Sequence, residues 1–158
     1  MKKFIIAVSC SLFISSSYAE SNEQINKAAE TAVKSELSKN YKQGECQKWL
    51  LMADNGNVSK KRAIANCDND FNVDKGLTFS EVKIYRHEDK NAVCGIVSGF
   101  TDISRIGSRF VYTDGEYGHV TIKNSKYPTF HLSDDQLSKN MITLINNQYK
   151  NESNLYCK

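Results

Sequence analysis

Four oxygen-bearing side chains fall close together in mid-chain: Asp70, Asn72, Asp74 and Glu81, at positions one, three, five and twelve of one stretch. Three clustered side-chain oxygens and a distant carboxylate can replace the water around a hard cation such as calcium. A second set suits proton transfer. Glu81 or Glu116 as base, with His119 or His131 as acid, supplies the partners that RNA cleavage near neutral pH needs. A third set suits recognition. Arg105, Arg109, Tyr112 and Tyr117 concentrate guanidinium and aromatic groups, which are enriched in binding hot spots.

Each set has a plainer alternative. The 70–81 stretch resembles an EF-hand calcium loop, yet Lys75 sits at the sixth position, where the sharp turn needs glycine, and Gly76 comes one place late. Lys75 also brings positive charge, and no second loop pairs with this one. The favoured reading is an Asx-rich turn between helix and sheet, with calcium as the alternative. Arg105-Ile-Gly-Ser-Arg109-Phe-Val-Tyr112, followed by Tyr127-Pro-Thr-Phe130, resembles the last strands of barnase-like secreted ribonucleases. The matching place of their general-acid histidine holds Lys126. A lysine does not shuttle protons at neutral pH without a large pKa depression. Ser98, Ser104 and Ser108 lie near Asp114 and His119 in sequence, but no G-x-S-x-G elbow presents a nucleophile. Lys60-Lys61-Arg62 reads as the solvated face of a helix.

The elements that must position these groups begin after a leader. Lys2 and Lys3 precede an apolar run over residues 4–14, and Ser17-Tyr18-Ala19 supplies the small residues of a cleavage site. Cleavage after Ala19 makes residues 1–19 a signal peptide and 20–158 one exported domain. It also removes Cys10, the candidate lipid-bearing cysteine of a lipoprotein reading set aside because too few apolar residues precede it. An even set remains: Cys46, Cys67, Cys94 and Cys157. Four cysteines allow three pairings, and their spacings are not those of zinc ligands. Cys46–Cys67 is favoured because the two bracket a helical stretch, which leaves Cys94–Cys157. Without Lys2 and Lys3 the chain is close to neutral, so bulk charge points to no polyanionic partner and no nucleic acid is favoured. No later stretch reaches the ~20 apolar residues of a spanning helix.

Within the domain, Ser21 and Gln24 form a capping box. Ile25, Ala28, Ala29, Ala32, Val33 and Leu37 recur at helical spacing, and Gly44 reads as the stop. Short helices follow over 45–52 and 58–66. Strands are predicted over 78–86 with a bulge near Ser80, over 92–98 as a central strand, and over 109–113 and 116–123 flanking an Asp114-Gly115 turn. A last helix opens with Ser133 and Gln136 as a second capping box, Asp134 and Asp135 suiting its dipole, and a Leu132–Leu137 staple. Leu137, Met141, Leu144 and Ile145 are its predicted sheet-facing stripe. The fold class is α+β: N-terminal helices, an antiparallel sheet of three to four strands, and a C-terminal helix packed on it.

Val93-Cys94-Gly95-x-Val97, then Gly107-x-Arg109-Phe110, resembles a loose group of small secreted proteobacterial proteins that share a V-C-G-x-V … G-x-R-F core. The resemblance spans 77–113 and implies an exported α+β fold without implying an activity. The turn at 99–107 is poorer in Gly and Asn than in that group. Taken together, these features predict a non-catalytic binding module, periplasmic or secreted, without a cofactor. Its partner is another envelope or secreted protein, as for inhibitors, immunity proteins or accessory subunits. The 99–107 loop and the Asp114-Gly115 tip are the predicted contact surface. A small secreted nuclease is the alternative.

Overall fold

The computed structural model describes residues 21–115, 118–133 and 135–158. The leader, Cys10, Glu116, Tyr117 and Asp134 lie outside the described residues.

Helix α1, Asn22–Ser38, begins as its sequence dictates: the Ser21 side chain accepts from the Gln24 amide, and Gln24 returns a bond to the Ser21 N–H. Its stripe of Ile25, Ala29, Val33 and Leu37 is buried. The helix ends where that stripe ends, not at Gly44. That glycine, at φ +80°, instead makes the left-handed residue that starts α2, Glu45–Asp54. Helix α3, Lys60–Cys67, is capped by Ser59 and lies against α2.

Four antiparallel strands follow in simple meander order: β1 (Thr78–Arg86), β2 (Asn91–Phe100), β3 (Arg105–Thr113) and β4 (His119–Asn124). The predicted bulge lies between Ser80 and Lys83, and Glu81 within it takes a left-handed φ of 53°. Strand β2 is central, and its V-C-G-x-V segment has a packing reason. A Cβ on Gly95 would sit 3.0 Å from the Phe110 ring and 3.2 Å from the Ser80 carbonyl oxygen.

Two expected boundaries are corrected. The 99–107 loop is mostly strand, because Gly99 pairs with Ile106 and Phe100 with Arg105, leaving a turn of only 101–104. At the other end Thr113 pairs with His119, where β4 begins, so Asp114-Gly115 is not a two-residue turn. The Asp114 carboxylate holds the loop after Thr113 by accepting from the Asn91 N–H and its side-chain amide, each at 2.6 Å.

Alternation along the strands sorts the core. Val93, Val97, Ile106, Phe110 and Tyr112 face α1, with Phe79 edge-on to Phe110. The opposite face carries Ala92, Cys94, Val111, Thr113 and Thr121. It is covered over β3 and β4 by α5, Gln136–Tyr156, which follows the short helix α4, Pro128–His131. Both favoured disulfides are present: Cys46–Cys67 ties α2 to α3, and Cys94–Cys157 ties the end of α5 to the central strand.

Two expectations for α5 fail for identifiable reasons. Its N-cap is Asp135, whose carboxylate accepts from the Ser138 amide at 2.7 Å. Ser133 instead donates to Asp135, so the Ser133/Gln136 box does not form. The stripe is also rotated. Leu137, Met141 and Leu144 point outward, with Leu137 72% and Leu144 60% exposed. Ile145 alone of the predicted stripe is half-buried, and with Ile142, Tyr149, Glu152 and Tyr156 it makes a half-buried row at heptad-like spacing. The bridge at Cys157 anchors the end of that helix, and Tyr149 and Tyr156 share the covering with Ile142 and Ile145.

Candidate functional site

Because α5 packs on β3 and β4, the Phe100–Arg105 end of that sheet face is left open. Arg105 and Arg109 project from it four residues apart on β3, both exposed. Arg105 lies over the Phe100 ring at 5.5 Å. Arg109 stands directly opposite Lys123 across the β3–β4 ladder. Ile96 pairs with Arg109 from the other side and helps line an open shelf with Gly107, Arg109, Lys123 and Ser125. Like charges placed directly opposite in a sheet destabilise it. Among the described residues no carboxylate forms an ion pair with either cation, and Lys123 is met only by the Tyr149 ring at 5.8 Å.

The turn that ends this surface is held by a dense polar clamp. Thr101, fully buried, donates to Asp68 at 2.9 Å and accepts the amides of Ile103 and Ser104. Lys126 donates to Asp68 at 2.5 Å and to Ser104 at 2.6 Å, and Ser104 also donates to Asp68. Lys75 caps the carbonyls of Thr101 and Asp102 at 2.8 and 2.9 Å. Asp102 in turn accepts from Asn72 and Tyr41. Burial pushes the Asp68 carboxyl up, but the bonds from Lys126, Ser104 and Thr101 outweigh it and hold the pKa below the ordinary value. Such a clamp leaves Phe100 and Arg105 on a rigid end of the hairpin.

The remaining predicted residues are dispersed. Tyr112 is on the α1 face and only 8% exposed, so it serves the core and not a partner. Glu81 is on β1 and His119 on β4, the two opposite edges of the sheet. Three strand spacings of ~4.8 Å separate them, too far for one proton-transfer pair. His119 bonds Thr121 at 3.0 Å, and His131 ends α4, exposed. Lys126, at the place of the ribonuclease histidine, is committed to Asp68 and Ser104. The four oxygen donors do not converge either. Asn72 gives its amide to Tyr41 and Asp102, Asp74 is exposed in a 3-10 turn, and Glu81 lies in the β1 bulge. Among the described residues no three His, Cys, Asp or Glu side chains form a metal-holding group.

The sequence reading missed Lys123, Ile96 and Phe100. A two-residue turn at Asp114-Gly115 places Lys123 on the face opposite Arg109. The longer loop shifts the register by an odd number of residues and brings the two together. The signal was the run of turn-forming residues up to Gly118, whose φ is also positive. No helix of the described residues is long and apolar enough to cross a membrane. Comparison with family models, curated proteins and solved structures returns no match.

Proposed function

We propose that this chain is an exported, non-catalytic binding module that engages another envelope or secreted protein through the open end of its sheet. Arg105, Arg109 and Lys123 supply the charge, and Ile96 and Phe100 supply the apolar contact. The observation that carries this reading is the Arg109–Lys123 pair, like charges opposite each other with no neutralising carboxylate among the described residues. A fold gains nothing from such an arrangement, whereas an acidic partner surface turns it into attraction and steers association. The clamp behind the 101–104 turn supports the same reading, since a preorganised surface loses less entropy on binding. The leader and the two disulfides favour a periplasmic setting.

The test is a crosslinked pull-down from envelope and secreted fractions, with oxidised 20–158 as bait. The expected result is one stoichiometric partner that Arg105→Glu/Arg109→Glu no longer captures, with a melting temperature within about 2 °C of wild type because both side chains are exposed. Equal capture by the double variant would move the interface elsewhere.

A further inference from the structure

A second concave site lies beside the basic shelf, along the same edge strand, and shares Asn124 with it. Strand β4 is a sheet edge, and α1 and α5 flank it from either side. Between them and the segment 69–71 is a cleft of about 280 Å³. Its apolar lining includes Leu37, Phe71 and Ile145. Its polar lining is mostly side chains that do not titrate near neutral pH: Asn40, Asn69, Asn124, Gln148 and Tyr127, together with Asp70. An edge strand also presents alternate backbone N–H and C=O groups away from its one neighbour.

Several of these groups have unused bonding capacity. The Tyr127 hydroxyl accepts from the Asn124 amide at 3.1 Å, which leaves its own proton to donate. Asn124 uses its side-chain oxygen to accept from Ser108, which leaves its NH₂. Asp70 accepts from Asn69 at 3.1 Å and forms no ion pair among the described residues. Burial raises its carboxyl pKa, with opposing fields from Glu45 and Lys42. Its charge therefore works against the fold at neutral pH.

We propose that this cleft binds a sugar ring, free or at the end of a glycan, on Asp70, Asn40, Asn124, Gln148 and Tyr127. The Asn40 and Gln148 amides each offer a donor and an acceptor side by side, which matches hydroxyl groups that are both at once, and Asn124 adds its NH₂. The Asp70 carboxylate accepts from hydroxyl protons, and the half-buried aliphatic lining of Val120, Ile122 and Ile145 meets the C–H face of the ring. The other ligand classes fit less well. An anion meets Asp70, and a wholly apolar ligand leaves the amides unpaired. Glu36, the other carboxylate of the cleft, is ion-paired to Lys39, so a cation would have Asp70 alone to pair with and would leave the amides unused. The volume is near the lower end of the ~300–1,000 Å³ typical of small-molecule sites, which suits one ring.

The test uses isotope-labelled, oxidised 20–158 titrated with glucose, N-acetylglucosamine and N,N′-diacetylchitobiose, followed by amide NMR shifts. The expected result is saturable binding with a Kd of about 1 mM or below, with shifts centred on Asn40, Asp70, Asn124 and Gln148. Monosaccharide binding as tight as that of the disaccharide marks a free-sugar site, and preference for the disaccharide marks a glycan end. Asp70→Leu should weaken binding about tenfold or more, the loss of one to two charge-assisted bonds. Gln148→Ala, at an exposed position, tests the same cleft should Asp70→Leu not fold. Asp70→Asn should raise the melting temperature while weakening binding, a combination that a purely structural Asp70 would not give. Shifts that do not saturate, that map away from the cleft, or that survive both Asp70→Leu and Gln148→Ala overturn the site. Saturable binding of ethylammonium without binding of any sugar overturns the ligand class.

Discussion

Along α1, Ile25, Ala29, Val33 and Leu37 all disappear into the core, whereas along α5, the longer helix on the opposite face, no residue is fully buried. Both are amphipathic and both flank the same four strands. The difference is how each is attached. Helix α1 is held chiefly by apolar burial, with one bond from Arg86 to Asn22 at its start, so its stripe of small and branched residues packs closely against Val93, Val97 and Phe110. Helix α5 is held at its end by Cys94–Cys157 and along its length by tyrosine rings, including Tyr149 against Lys123 and Tyr156 edge-on to His87. A tethered helix need not cover the whole face, and the part left uncovered is where the basic shelf lies. One face of the sheet is thus closed by packing, and part of the other is left open for the recognition proposed above.

The contrast can be broken most directly at the tether. Cys94→Ser/Cys157→Ser opens the longer loop, and chain entropy puts the loss at about 4 kcal/mol, with α5 loosening before the rest. Urea melts with hydrogen exchange on α5 amides check both parts. Uniform loss of protection across α1 and α5 would mean that the two helices are not held differently. Next in size is a matched pair of truncations. Ile25→Ala should cost about 2–5 kcal/mol through the cavity it leaves, while Leu144→Ala on the outer stripe of α5 should change stability by less than about 0.5 kcal/mol. Comparable losses would contradict the outward orientation of Leu144.

A smaller effect sharpens the account of the clamp. The folded Asp68 carboxyl titrates below its ordinary value of 3.8, so its contribution is present above that value and lost as pH falls through the depressed one. Lys126→Met should lower stability by about 1–2 kcal/mol near neutral pH and flatten the acid limb below about pH 4. An unchanged acid limb in urea melts across that range would show that Lys126 does not hold Asp68.

What was legible in the sequence followed local chemistry. The Ser21 capping box, the α1 stripe, the Ser80 bulge, the strand order and the two disulfides each depend on neighbouring residues or on a small set of pairings. What was not legible depended on register and rotation, which distant contacts set. On α5 apolar counting found Ile145 but missed the rest of the covering row, because Tyr149 and Tyr156 share it. Lys123 joined Arg109 only because the loop after Thr113 runs longer than its Asp-Gly signal implies. The Asp68–Ser104–Lys126 clamp joins residues far apart in sequence, and nothing in their local patterns announces it.

The most direct test of the binding surface is hydroxyl-radical footprinting of oxidised 20–158, alone and crosslinked to its captured partner. The result predicted is protection at Phe100, Arg105 and Arg109, with Leu137, Leu144 and Leu155 on the outer stripe of α5 equally reactive in both states. Protection of that outer stripe, with Phe100 and Arg105 unchanged, would contradict it and make α5 the docking surface.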